Sequence, residues 1–158
     1  MAVVNRVKSG LGSKLSISTT AYSGTKDSTG YAAATYANIT LEGFSAPGES
    51  YATLEWADLF TGNTTYIKGK KAYPTIDVTI ADIPTDTART AFDLGLADLT
   101  GEMAFKAEMT TDGTTSGTIR YFTALVMSKK FGDVNLDGVR TITYTLQVSS
   151  PVVTVAAA

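Results

Sequence analysis

The sharpest chemical signature in the chain is Asp133-Val134-Asn135-Leu136-Asp137-Gly138, where oxygen-bearing side chains alternate ahead of a glycine. That is the first half of a calcium loop, in which alternate oxygens face one cation and glycine permits the sharp turn. The second half does not follow. The twelfth position, where a bidentate carboxylate closes such a loop, is Tyr144. The expectation is a tight inter-strand turn whose Asn and Asp side chains hydrogen-bond the backbone, and no metal.

Glu102, Glu108, Asp77 and Asp82 are the carboxylates available for paired glycosidase-type chemistry, but no spacing selects two of them, and they read as solvated strand-face charges. Lys68, Lys70 and Lys71 surround a lone Gly69. A phosphate cradle needs a glycine-rich loop opening a helix, so this basic cluster suits instead an acidic surface on a neighbouring subunit. Trp56 and the eight tyrosines offer stacking surfaces for a ligand, although in a β protein such rings mostly fill cores or cross-strand pairs. Histidine and cysteine are both absent. Their absence removes the commonest general base, thiolate nucleophiles, imidazole and thiolate metal ligands, and any disulfide framework. Neither catalytic residues nor cofactors are expected.

The elements that must position these residues fit one domain of 158 residues, 44% hydrophobic and 18% charged, which is the composition of a packed chain. A net charge of −2 provides no basic footprint for tight nucleic-acid binding. No 18-residue apolar run exists, and Arg6 and Lys8 lack an apolar stretch behind them, so neither membrane insertion nor a secretory signal is expected. Synthesis in a reducing cytoplasm fits the missing cysteines.

Short runs of Thr, Val, Ile and Tyr, punctuated by Gly, Asn, Asp and Pro, give a mainly β rhythm. Strands are expected at Lys14 to Thr19, Ala34 to Phe44, from about Tyr51, and at Ile76 to Ile80, with a loop from Tyr22 to Gly30. Residues 58–73 read as a long, basic, exposed loop holding Thr61, Asn63, Lys68, Lys70 and Lys71. One amphipathic helix is predicted over Thr85 to Thr100, capped by Thr85 or Asp86, with Ala88, Phe92, Leu96 and Leu99 toward the sheet. Glu102 to Met109 and Thr118 to Met127 flank an Asp112-Gly113 hairpin connection. Tyr121 to Met127 is apolar on both faces, so it must be covered on each side within the chain or on one side by another subunit. Arg140 to Val148 alternates, with Ile142, Tyr144, Leu146 and Val148 inward.

In this order the pattern resembles the major tail protein, or tail tube protein, of long-tailed bacteriophages. The residues that carry the resemblance are Ile39-Thr40-Leu41-Glu42-Gly43-Phe44 leading to Pro47-Gly48-Glu49-Ser50, the insertion at Asp58 to Tyr73, the strand Thr75 to Ile80 and the helix that follows. Phe105 to Met109, Phe122 to Val126, the Asp133 to Gly138 turn and the strand from Arg140 complete it. The resemblance implies a β-sandwich or barrel-like tail tube fold with one flanking helix and long inter-subunit loops. It implies a structural virion protein whose copies form hexameric rings stacked into a tube for DNA, which passes through the lumen without tight binding. Thr61, Asn63, Lys68, Lys70 and Lys71 would lie on a loop reaching another copy, and an N-terminal arm (1–13) and C-terminal segment (149–158) would join the ring contacts. Partners would be further copies, with tape-measure, tail-terminator and tail-tip proteins, and the location a phage tail assembled in the host cytoplasm.

Two alternatives share much of this reading. A tube component of a contractile injection or secretion machine would have the same fold. A monomeric β-sandwich adhesion or carbohydrate-binding module would use the tyrosines and the Asp133 turn for ligand. An enzyme would have to work with carboxylate, Lys, Ser, Thr or Tyr alone, and no recognisable grouping of them is present.

Overall fold

The computed structural model describes residues 12–41, 43–110 and 117–156. In chain order the elements are β1 (Lys14–Ser18), α1 (Ser28–Ala32), β2 (Tyr36–Asn38), β3 (Ser50–Ala57), β4 (Thr64–Ala72), β5 (Thr75–Ala81), α2 (Thr87–Ala97), β6 (Met103–Glu108), β7 (Ile119–Phe131), β8 (Thr141–Val148) and β9 (Val153–Val155). The expected mainly β architecture is present. Most of residues 1–13, Glu42, the Asp112-Gly113 connection and the last two residues of the C-terminal segment lie outside the described residues.

A seven-stranded antiparallel sheet runs β2-β1-β6-β7-β8-β5, with β9 added beside β7. The thirteen residues of β7 organise it. Residues 119–124 pair with β6, while on the opposite edge β9 takes Ile119 to Tyr121 and β8 takes Ala124 to Phe131. Pro151 would break this second edge because it has no N–H. Two serines carry the ladder across the gap: Ser149 N–H donates to the Thr123 carbonyl (2.9 Å), and Ser150 Oγ accepts from Thr123 N–H (2.9 Å). Beyond β2, Thr40 turns to the far edge of the sheet, where its carbonyl accepts from Ala81 N–H (3.2 Å). The two edges thus approach at one end, which gives the barrel-like curl and explains why only Tyr36–Asn38 of the expected 34–44 strand joins the ladder.

Both faces of residues 121–126 of β7 are covered within the chain, whereas Met127 and Phe131 further along are exposed. On one, α2 lays Ala88, Ala91, Phe92 and Gly95 over the sheet. Phe92 stacks on Tyr144 (4.5 Å between centroids) and meets Phe105, which stacks on Phe122 (5.3 Å). On the other, Tyr121 stacks on the fully buried Tyr31 of α1 (5.5 Å), Tyr22 stacks on Tyr31 (5.0 Å), and Tyr36 flanks the group. Residues 22–30 therefore include the start of a helix where a loop was expected: the Asp27 carboxylate caps it by accepting from Gly30 N–H (2.7 Å). Five residues rich in Ser, Thr and Gly carry no helical periodicity to read.

Asp86 caps α2 by accepting from Ala88 N–H (3.1 Å). The helix ends earlier than predicted because Asp98 turns to an extended conformation and accepts from the N–H groups of Thr100 and Gly101, leaving Leu99 in solvent rather than in the apolar stripe. The α2 helix is also pinned by charge. Asp82, expected to be a solvated strand charge, has a side chain only 3% exposed, clasped by Arg89 of α2 and by Arg140 (2.7 Å). Asp93 accepts from Lys129 (2.8 Å) and from the Tyr144 hydroxyl (2.9 Å). Burial would raise the Asp93 pKa, but these hydrogen bonds outweigh it and hold the carboxyl below its ordinary value.

Two stability predictions follow from α2. In an exposed helix Gly→Ala gains about 1 kcal/mol, yet a Cβ on Gly95 would lie 2.8 Å from Met103 Cγ and 3.0 Å from Val126 Cγ2. Overpacking should win, and Gly95→Ala should destabilise by about 1–3 kcal/mol in urea unfolding; a rise in the midpoint would show that the contact yields. Because the folded-state pKa of Asp93 is depressed, its contribution is present above the unfolded value near 4 and is lost as pH falls through the folded value. Asp93→Asn should therefore flatten the acid limb of the stability–pH profile below about pH 4. An unchanged acid limb would assign that slope to other carboxylates.

Candidate assembly interface

The segment expected to be a long loop at 58–73 is mostly strand. β3 and β4 form a separate two-stranded antiparallel ribbon, and only residues 58–63 turn. The basic run Lys68-Gly69-Lys70-Lys71 hid the strand from a period-two reading, because Tyr51 pairs with Lys71 and Thr53 with Lys68, leaving one extra residue on β4. Gly69 sits in that irregularity, where a Cβ would lie 3.0 Å from the Ala52 carbonyl and the Leu54 side chain.

The turn is self-organised. Asp58 Oδ1 accepts from Phe60 N–H (2.9 Å) and Oδ2 from the Thr61 hydroxyl (2.8 Å), and these bonds lower the Asp58 pKa. Asp58 N–H donates to the Asn63 carbonyl (2.9 Å), and Gly62 takes the left-handed conformation (φ +69°) that closes the turn. Of the five residues singled out in the sequence, Thr61 and Asn63 therefore build the tip, whereas Lys68, Lys70 and Lys71 lie along β4. At the base, Glu49 bonds Lys71 (2.8 Å) and accepts from Val152 N–H (3.4 Å), which ties the ribbon to the segment before β9.

The cross-strand register gives the ribbon two unlike faces. Leu54 opposite Ile67 and Trp56 opposite Thr65 share one face; Glu55 opposite Tyr66 and Thr53 opposite Lys68 share the other. Lys68 also lies over the Tyr51 ring (5.2 Å). The apolar face is bare: Leu54, Trp56 and Ile67 are 55%, 66% and 54% exposed, and Leu59 and Phe60 at the tip are fully so. An isolated two-stranded ribbon is marginal in water, and a contiguous apolar patch on a soluble chain marks a contact surface. Periodicity alone could not reveal this, because alternating apolar residues look the same whether or not a core lies beneath them.

The remaining sequence candidates are not brought together as a reaction site. Glu102 pairs with Lys26 (2.6 Å), Glu108 lies 3.6 Å from Lys106, Asp77 accepts from Thr145 (2.7 Å), and Asp82 is held by its two arginines. Tyr144, at the closing position of the calcium-like stretch, is buried in β8. Among the described residues no cluster of three or more acidic side chains could hold a metal ion. Of the aromatic residues, Trp56, Tyr51 and Tyr66 belong to the ribbon, while Tyr22, Tyr31, Tyr36 and Tyr121 form the second core.

No family model matches the sequence, and no curated protein does. Solved structures do match. A chain of the anti-feeding prophage baseplate, from a 6-fold symmetrised structure, superposes with a TM-score of 0.73 at 9% identity, covering 97% of this chain and 98% of that one. A chain of the sheath–tube complex of the extracellular contractile injection system PVC, in its extended state, gives 0.69 at 16% identity, covering 98% and 95%. The SPP1 tail tube gives 0.59 at 16% identity, covering 95% and 80%. The chain has the fold shared by these chains of a phage tail tube and of phage-like injection systems.

Because the ribbon shares little with the core beyond its base, replacing residues 51–71 by a short Gly–Ser linker between the paired Ser50 and Ala72 should leave the main thermal transition within a few degrees of the parent. A collapse of that transition would make the ribbon part of the folding unit.

Proposed function

We propose that this chain is a structural subunit that assembles with copies of itself into stacked rings, six subunits to a ring, forming the tail tube through which phage DNA is delivered. The observation that carries the reading is an uncovered amphipathic ribbon on a tube-protein fold. Its apolar face needs a partner, and another copy supplies one at the concentration at which such a protein accumulates. The long outer edge of β5 adds a second demand, since an unpaired edge strand is a template for pairing and a closed ring removes it. Sixfold closure draws support from the symmetry of the baseplate neighbour.

The outward face shared by β5 and β8 suits a lumen wall. It bears Thr75 bonded to Gln147 (2.9 Å), Asp77 to Thr145 (2.7 Å) and Thr79 to Thr143 (2.9 Å), a ladder of hydrogen-bonded polar groups with one carboxylate, and the neighbouring β7 adds one cation to this face, Lys130 opposite Thr143. A wall whose single cation is matched by a carboxylate offers no basic run to hold phosphates, so a DNA chain slides along it. The role is structural rather than catalytic, consistent with carboxylates that are engaged in separate pairs.

A second reading, a tube component of a contractile injection machine, is favoured by the higher TM-scores of the injection-system chains. An outer sheath layer around tubes isolated from producing cells would select it.

Negative-stain electron microscopy over a concentration series, with sizing chromatography alongside, tests the common core of both readings. Hollow rings or tubes are expected. A monodisperse monomer at every concentration overturns self-assembly and favours a binding module.

A further inference from the structure

We infer that the ribbon of one copy seats on the β7–β8 turn, residues 133–139, of the next copy stacked upon it, so that each subunit carries a plug at one end and its socket at the other. The inference rests on the tube reading and names the surface that receives the ribbon.

The first ground is placement. β5 and β8 pair antiparallel, with Thr75 opposite Gln147 and Ala81 opposite Thr141. The ribbon leads into the Thr75 end through Tyr73 and Pro74, and the Pro74 carbonyl accepts from Val148 N–H (3.2 Å). The 133–139 turn leads into the opposite, Thr141 end. Eight residues of strand hold the two apart, a separation of about 25 Å. Two unlike surfaces at opposite ends of one rigid sheet make a head-to-tail contact between copies, which extends without limit along a stack.

The second ground is chemistry. Val134, Leu136 and Val139 are 75% or more exposed on a turn that has no covering element, matching in kind the bare Leu54, Trp56 and Ile67 of the ribbon. The charges are opposite. Lys68 and Lys70 make no ion pair with any described residue, and neither do Asp133 and Asp137, although six ion pairs form elsewhere among the described residues. The cations nearest the turn are largely spoken for: Arg140 is bound to Asp82 and Lys129 to Asp93, with Lys130 on the alternate face of β7. The turn therefore presents two carboxylates with no ion-pair partner among the described residues beside an apolar patch, and the ribbon carries two lysines equally without one, Lys68 on its polar face over the Tyr51 ring and Lys70 past the Gly69 irregularity. The alternating Asp133, Asn135 and Asp137 then serve as a recognition surface rather than a cation loop.

The test uses Trp56→Asp in the ribbon and Leu136→Asp in the turn, with circular dichroism to establish that each folds. Each variant alone should lose tubes under the electron microscope. Each also keeps one intact half of the contact, so mixing the two should produce a discrete species of about twice the mass of either alone, which a symmetric interface would not give. Lys68→Glu with Lys70→Glu should shorten tubes, as should Asp133→Lys with Asp137→Lys, and combining all four in one chain should restore length. Parent-length tubes from Leu136→Asp together with loss from Trp56→Asp would overturn the socket while leaving the tube reading intact. Failure of the combined charge reversal to restore length would overturn the ion pairing. Absence of rings and tubes from the parent chain itself would overturn the tube reading, and this inference with it.

Discussion

Strand β7 is apolar on both faces and has backbone groups to satisfy on both edges, and most of the body is arranged to meet those two demands. Backbone donors and acceptors buried without partners cost as much as a lost hydrogen bond, so the buried first half of such a strand must be flanked on both edges. β6 meets the demand on one edge for residues 119–124; β8 and β9 meet it on the other, with Ser149 and Ser150 bridging the stretch that Pro151 interrupts. The faces are met by unlike means. A helix of eleven residues covers one, and a group of stacked tyrosines under a five-residue helix covers the other.

Holding α2 against the sheet falls to two acidic residues as well as to apolar contact. Asp82 and Asp93 each collect two donors, and in both cases those donors come from different elements, so each carboxylate fixes a relative position rather than merely adding attraction. A carboxylate with a 3% exposed side chain is tolerable only with its charge compensated, and the two arginines do that for Asp82. Gly95 belongs to the same fit, because helix and sheet approach closely enough there to exclude even a methyl group.

Against that packed body, the ribbon stands uncovered. Its strands pair with each other, its tip is closed by Asp58 and Gly62, and its base is tied down by Glu49, yet the apolar side of the ribbon meets nothing. Local order combined with missing burial is what a contact surface requires: the shape is set in advance, and the apolar area is withheld for a partner. The 133–139 turn likewise leaves Val134, Leu136 and Val139 uncovered at the far end of the sheet. Where consistency across levels fails in a natural sequence, function is the usual reason.

The sequence by itself determined the mainly β class, the helix after Pro84, the inward set Ile142, Tyr144, Leu146 and Val148, and the interior position of Tyr121 to Ala124 within the expected 121–127 stretch, since each rests on periodicity or on a local cap. It also ruled out histidine and cysteine chemistry outright. Tertiary structure decided what periodicity cannot carry. Whether alternating apolar residues in 50–72 faced a core or solvent depended on the rest of the chain, and the extra residue at Gly69 masked the strand altogether. Asp82 looked like any strand-face acid until Arg89 and Arg140, 7 and 58 residues away, came to enclose it. Leu99 fell out of the stripe because Asp98 ended the helix first. Local patterns record which faces are apolar; only the assembled sheet decides which of those faces find cover within the chain and which are left for a partner.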